Sequence, residues 1–431
     1  MDSSFVGHDQ APAEEPLPPY SPFEPIADSD NHTDAAPAWE PPQPPEWLEL
    51  AHEPEAAITG PTDMVVSPSD RSTLATQLLH PAKGISLKLA GLKAAKVVVR
   101  VDSEQKYNGL VRISAQFCHN PVSFGSNESP VRVSSQATEK SGEVQIEFTA
   151  SPELADLCEV VTKLDLVLPR DAALPSLVLR LPANSSLELS DIVSNTVERI
   201  DMAIVSGAVG LYRVNAGSLR VAIGDGHIKA AGVAVSRGPA EFLAMRGYIH
   251  VFECTASGNN VRVNAPDAIV KMKAIVASKI HIQAARAAAT ICSAAADTVT
   301  VDSISGHLAL GGIAARVLDV RAETSPVTGS WDIGERIHIV IDSAIIQGQL
   351  SFTGESARAY ITTSEWPVRL DIRGDYAGHF DIKTANSVVN FGLVEAALTT
   401  DLPHHRQGKI GEGANTLYVE SANSPVVIGT Y

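Results

Sequence analysis

The sequence predicts an all-β fold: a β-solenoid-like stack of short strands, preceded by an antiparallel β module and a disordered N-terminal tail. Three observations predict it. Apolar residues alternate with polar ones at period two from residue 84 onward. From residue 191 to the end, strands with two inward residues recur at short, near-constant intervals. Proline and excess acid are concentrated before residue 80.

Taken in order, residues 1–80 form the tail. They hold fifteen Asp or Glu against a single basic residue, Arg71, whereas the remaining chain is nearly neutral within a total formal charge of -17. Fourteen of the 27 prolines lie in residues 1–70. Successive prolines, as in PPQPPEW from Pro41 to Trp47, fix φ and remove backbone donors, so the segment is expected to be extended and disordered. Residues 71–80, RSTLATQLLH, are expected to form a short helical turn before Pro81. Leu17, Pro18, Pro19 and Tyr20 match a Leu-Pro-x-Tyr pattern that resembles a variant ligand of WW domains, which makes them a candidate peptide motif for a protein partner.

Residues 84–190 form the antiparallel module. KVVVRV (96–101), LVRISAQF (110–117), VQIEFTA (144–150), KLDLVLP (163–169), SLVLRLP (176–182) and SLELS (186–190) read as strands. SPELADLCEVV, beginning at Ser151, offers a capping serine and a first-turn proline, and is expected to form a short helix.

Residues 191–431 form the repetitive domain. Inward pairs include Ile228 and Ala230, Ile249 and Val251, Ile280 and Ile282, Ala289 and Ile291, Val299 and Val301, and Leu308 and Leu310. Several start about ten residues apart, with Gly, Asn, Asp, Ser or Ala between. Such strands are too short to stand alone, and stacking buries a continuous apolar column. Two strands per rung give a rung of about twenty residues. The alanine-rich stretch 284–296 is flanked by β-branched residues and reads as β. Residues 393–413, including LPHHRQGKIGEG, break the pattern and are expected to be a loop before two closing strands. Aromatic residues are only 5% of the chain, so the core must be aliphatic.

Phrases such as GSLRVAIGDGHIKAAG (217–232), DTVTVDSISGHLAL (297–310) and ARVLDVRAETSPVTGSW (315–331) resemble the putative adhesin family, a domain of unknown function found in bacteria and fungi. KLDLVLPRDAALPSLVLRLP and the acidic, Pro-rich start with its Pro-Pro-Tyr are similar to fungal members. The resemblance covers residues 85–431, is strongest from about 185, implies an adhesive role and brings no catalytic residues.

Little in the sequence points to a reaction. The acidic balance disfavours nucleic acid, because no basic field displaces counterions from phosphates. No apolar run is long enough for a membrane span, and the start lacks a secretory signal, which favours a cytoplasmic location. Four scattered cysteines read as separate core residues, with one disulfide open as an alternative. His250, His281 and His338 each sit between inward residues and are expected on a wet face, and His404-His405-Arg406 is the one tight cluster. No metal, cofactor or catalytic set is expected. Asp201, Asp225, Asp297, Asp302, Asp319, Asp332 and Asp342 are carboxylates expected near turns. Arg373-Gly374-Asp375 reads as a strand-ending turn. The leading functional reading is a noncatalytic scaffold or interaction protein. The alternative is a carbohydrate-binding or carbohydrate-cleaving solenoid, which requires a groove uniting acids with Trp331, Tyr360, Trp366 and Tyr376.

Overall fold

A computed structural model describes residues 65–69, 72–79, 84–90, 94–102, 110–118, 131–137, 143–150, 161–170, 173–392 and 396–430. All elements among these are strands, arranged as a β-solenoid of about nine turns. The expected helix at Ser151 and the Leu17–Tyr20 motif lie outside the described residues.

The N-terminal strands are β1 (Val65–Ser69), β2 (Ser72–Leu79), β3 (Gly84–Ala90), β4 (Ala94–Asp102), β5 (Val111–Cys118), β6 (Val131–Ala137), β7 (Glu143–Ala150), β8 (Val161–Pro169) and β9 (Leu174–Leu181). Residues 72–79 are thus strand, not the helical turn expected of them. Thr73, Thr76 and the apolar Leu74, Leu78 and Leu79 find a ladder partner in β5, and pairing overrides local propensity. The antiparallel pairing expected here exists between β1 and β2, β2 and β5, β5 and β8, and β6 and β7. It is not the whole arrangement. β3 runs parallel to β7 and β9, and β4 runs parallel to β8 and to the strand that follows β9. The module is therefore mixed, and its parallel strands begin the stack.

The stack continues through β10 (Ser185–Val235), β11 (Ala240–Asn264), β12 (Asp267–Gln283), β13 (Ala289–Ile291), β14 (Ala294–Ser303), β15 (Leu308–Ala322), β16 (Val327–Ile341), β17 (Ile346–Phe352), β18 (Arg358–Thr363) and β19 (Val368–Ile372). Registers show one turn of the chain per level. Ile228, Ile249, Val270, Ala289, Leu308, Val327, Ile346 and Val368 lie over one another. A second column joins Ile280, Val299, Leu318, Ile337 and Ala359. Every one of these is buried. Burying a Val, Leu or Ile side chain is worth about 1.5–3 kcal/mol, so the columns supply the main cohesive term. The alanine-rich stretch is strand, as β13 and β14. Its small side chains still bury: Ala289 and Ala294 occupy column positions at 0% and 2% exposure.

Each level has three short arms, one more than the sequence pattern suggested. Inward residues step by two within an arm, as Ala289 to Ile291 and Val299 to Val301, and by three across a corner, as Ile291 to Ala294. That change of phase bends the chain.

The corners set the sharpest steric limits. Gly207, Gly226 and Gly247 lie over one another with φ of +135°, +140° and +104°. A Cβ on Gly226 would stand 1.9 Å from the Gly207 carbonyl oxygen, and one on Gly207 would stand 1.8 Å from that of Ser185. Another corner is polar: Ser303 Oγ donates to the Ala284 carbonyl at 2.9 Å and lies 2.7 Å from Ser325 Oγ. Thr363 and Ser421 repeat the device by donating to Ala344 and Trp366 carbonyls. The backbone steps with them, as Ser305 N donates to Ala285 O and Thr324 N to Ile304 O.

Beyond β19 the order breaks. The remaining strands are β20 (Gly378–Thr384), β21 (Val389–Phe391), β22 (Ala397–Leu402), β23 (His405–Ile410), β24 (Asn415–Ser421) and β25 (Val426–Thr430). β24 and β25 slot between the β18–β19 level and the β20–β21 level. The chain skips a level, builds the outermost one, and returns to fill the gap. Residues 397–410, expected as a loop, form the antiparallel hairpin β22–β23, and β23 pairs with the outer edge of β20. The hairpin lacks strong apolar alternation because it buries only Gly408, so its strand character does not show in the sequence.

Among the described residues Trp331 is the largest fully buried side chain. The adjoining inward column runs Leu310, Gly329, Gly348, Leu370. The two glycines leave the space the indole fills, since a Cβ on Gly348 would stand 2.5 Å from the ring and one on Gly329 2.6 Å from Nε1.

Replacing Gly226 with Ala should abolish cooperative folding or lower the melting midpoint sharply, because the added Cβ meets backbone above and has no room to relax. Trp331→Ala should cost about 3–5 kcal/mol, read by urea denaturation, as expected for truncating a buried aromatic. A loss below 1 kcal/mol would show that the indole is not a packing element.

Candidate functional site

The outward positions of two sheet faces hold most of the residues that could carry chemistry. On the first face, Arg262, His281, Thr300, Asp319, His338, Tyr360, Tyr418 and Asp381 lie over one another in register. The neighbouring row runs Gln283, Asp302, Arg321, Val340, Thr362, Glu420 and Lys383. Many of these residues contact one another along and between the rows. Asp319 Oδ1 is 3.6 Å from Arg321 Nε and 3.5 Å from His338 Nδ1. His338 leans on Tyr360 at 5.2 Å, and Tyr360 stacks on Tyr418 at 4.9 Å with an interplanar angle of 5°. Lys383 covers the Tyr418 ring, and the Tyr418 hydroxyl donates to Glu420. Asp381 is held by His405 at 2.8 Å and Lys383 at 3.0 Å.

Burial raises the Asp302 carboxyl and Asp319 adds to this, while His281 and Arg321 oppose it. Burial also raises the Tyr418 hydroxyl, and Glu420 beside it acts in the same direction. Asp302 and Asp319 occupy successive levels, and the side chains beside them are His281 at 4.0 Å and Arg321 at 3.6 Å respectively. The other carboxylates singled out in the sequence are dispersed. Asp201 pairs with Arg180, Asp225 with Arg246, and Asp297 accepts from Ser278. Asp332 and Asp342 are exposed at other positions.

His250 is exposed, and His281 and His338 are partly so, all on outward positions as alternation requires. The His404–His405–Arg406 cluster is divided: His404 sits in the two-residue turn of the hairpin, His405 binds Asp381, and Arg406 pairs with Asp401. Among the described residues no three His, Cys, Asp or Glu side chains gather to hold a metal ion. Arg373–Asp375 is a turn following β19, closed by Tyr376 N donating to the Arg373 carbonyl. The four aromatics that a sugar groove would need do not meet. Trp331 and Tyr376 are in the core, Trp366 is half-exposed at a corner and donates to Ser343, and only Tyr360 lies on the ladder. The stacked tyrosines also spend ring face on each other, leaving edges for solvent.

The second face is different. β8, β4 and β5 place Lys163, Lys96, Arg100 and Arg112 around Asp165, lining a shallow groove of about 470 Å³. Burial pushes the Asp165 carboxyl up, but Arg100 and Arg112 outweigh it and hold it below the usual carboxylate range. A second depression adjoins through Lys96 and continues past Ala208 and Gly210 to Tyr212, His227 and Lys229. Register carries the same rows on to Tyr248, His250, Phe252, Lys271 and Lys273. No motif marks this strip, because its residues are scattered from 96 to 273 and only stacking collects them.

No helix among the described residues is long and apolar enough to cross a membrane. No family model matches the chain, and no curated protein matches it. Two solved structures are similar in part. One is a putative cell adhesion protein from Clostridium sporogenes, with 9% identity, 84% of this chain and 100% of that chain covered, and a TM-score of 0.18. The other is a putative adhesin from Bacteroides fragilis, with 8% identity, 84% and 98% covered, and a TM-score of 0.21. At those scores the likeness establishes nothing about this chain's role.

Of the cysteines, Cys254 is buried and free, as a small core residue should be, whereas Cys292 is exposed and free. Burial pushes the Cys254 thiol up to about 12. Iodoacetamide at pH 8 followed by peptide mapping should label Cys292 and leave Cys254 unmodified. Equal labelling would mean that the stack opens at that level.

Proposed function

We propose that this chain is a noncatalytic, adhesin-like interaction protein whose solenoid body is a rigid scaffold that meets a protein partner through its outer sheet faces. In this reading the acidic, Pro-rich N-terminal segment is a second contact, through Leu17, Pro18, Pro19 and Tyr20. One observation carries the proposal. The acids, histidines and tyrosines best suited to chemistry are spent on neighbours one level away, as in the series Asp319, His338, Tyr360 and Tyr418. Such a ladder stiffens a surface. A carbohydrate-cleaving role is the weaker reading, since Trp331 and Tyr376 are buried away from the acids.

Surface plasmon resonance of the full chain against a panel of proteins and polysaccharides tests the proposal, alongside an assay for released reducing ends. Saturable binding to a protein with no turnover is expected. Turnover that disappears in Asp302→Asn/Asp319→Asn would overturn the noncatalytic reading. For the N-terminal contact, a peptide spanning Pro16 to Pro22 should bind a WW domain and lose at least tenfold on Tyr20→Ala; equal binding of both peptides removes that contact.

A further inference from the structure

Among the described residues the second face carries an excess of positive charge. Along six strand steps, from β8 through β4 and three levels of β10 to β11 and β12, its outward positions hold Lys163, Lys96, Arg100, Lys229, Lys271 and Lys273, with Arg112 on the adjoining β5. Strands lie about 4.8 Å apart, so the strip is about 29 Å long. Among the described residues, Asp165 and Glu188 are the acids that line its two depressions. Asp165 is shared by Arg100 at 2.8 Å and Arg112 at 3.0 Å. Lys96 stands directly beside Lys163, and His250 lies between Lys229 and Lys271. Like charges placed side by side across strands destabilise a sheet. Small residues, Ser186, Ala208 and Gly210, lower the floor, and Tyr212, His227 and Tyr248 border it.

We propose that this strip is the docking surface for an extended, acidic polypeptide of a partner protein, lying across the rungs. The inference rests on the interaction role proposed above and names the partner's chemistry. Charge complementarity selects the class. Neighbouring cations are one to three strand spacings apart, roughly 5–14 Å. Same-side carboxylates of an extended chain recur about every 6.6 Å and can follow them. A nucleic-acid duplex carries a charge about every 1.7 Å and would leave most phosphates unneutralised next to a chain of net charge -17.

The test is fluorescence anisotropy of a labelled sixteen-residue peptide alternating Glu and Thr, titrated with the full chain at low salt and at physiological salt. Saturable binding that weakens with salt is expected, with at least tenfold loss in Lys229→Glu/Lys271→Glu and in Lys96→Glu/Lys163→Glu. Both variants change exposed side chains, and an unchanged circular dichroism melt shows that they fold. No binding at low salt, or equal binding by both variants, overturns the proposal. Tighter lysine-dependent binding of a sulfated polysaccharide or a single-stranded oligonucleotide overturns the polypeptide assignment. Binding that appears only after the carboxylates of residues 1–64 are neutralised identifies the chain's own segment as occupant and overturns a partner in trans. A protein ligand bound equally by wild type and variants sinks the strip but leaves the interaction role, whereas absence of any protein ligand sinks the role itself.

Discussion

In-register parallel stacking of one turn on the next is the constraint from which the rest follows. Each arm is short and exposes backbone donors and acceptors on both edges. Only a neighbour at the same register satisfies them and closes the apolar column at the same time. A slip of one residue would turn Ile280, Val299, Leu318 and Ile337 outward together and bring the charged rows inside. Register is therefore fixed by the cost of that exchange, and outward side chains inherit it as ladders.

The corners and the ends are where stacking meets its limits. At Gly207, Gly226 and Gly247 the backbone of one level occupies the place of a side chain from the next, so close approach is bought with residues that have no Cβ. At Gly329 and Gly348 the opposite holds, and absent side chains make room for one large indole. The C-terminal end solves a different problem. A solenoid that simply stopped would present an open ladder edge, which invites pairing with another chain. Here β24 and β25 return beneath the outermost level, and β23 covers the edge of β20 with a short antiparallel hairpin whose outer strand is exposed.

How much of this was legible in the sequence follows from the range of the forces involved. Buried columns were legible because period-two alternation is local: Leu308 with Leu310 and Val299 with Val301 announce their side of the strand unaided. The third arm was not, because its inward positions, such as Ala294 and Ile313, are few and lie across corners where the phase shifts. β2 and the hairpin β22–β23 were missed because they owe their strand state to a distant partner. The aromatic ladder was likewise hidden: Tyr360 and Tyr418 are 58 residues apart in sequence and become neighbours only because β24 returns to fill a level. No window of sequence contains that pairing.

The two outer faces show what a solenoid does with charge when register stacks like positions. On the ladder face, cations and acids interleave, so that Asp302 meets His281 and Arg321, and Asp381 meets Lys383 and His405. There opposite charges offset part of the cost of burying carboxylates such as Asp302. On the basic strip the same geometry places Lys96 beside Lys163, and Lys229 and Lys271 on either side of His250. A neutral residue at any of these positions would relieve repulsion without disturbing the core, because all of them point outward. Nothing in the stack's own energetics requires those cations. Where a fold keeps local features that work against its stability, and the rest of its surface shows that it can do otherwise, the compensation is most economically sought in a partner.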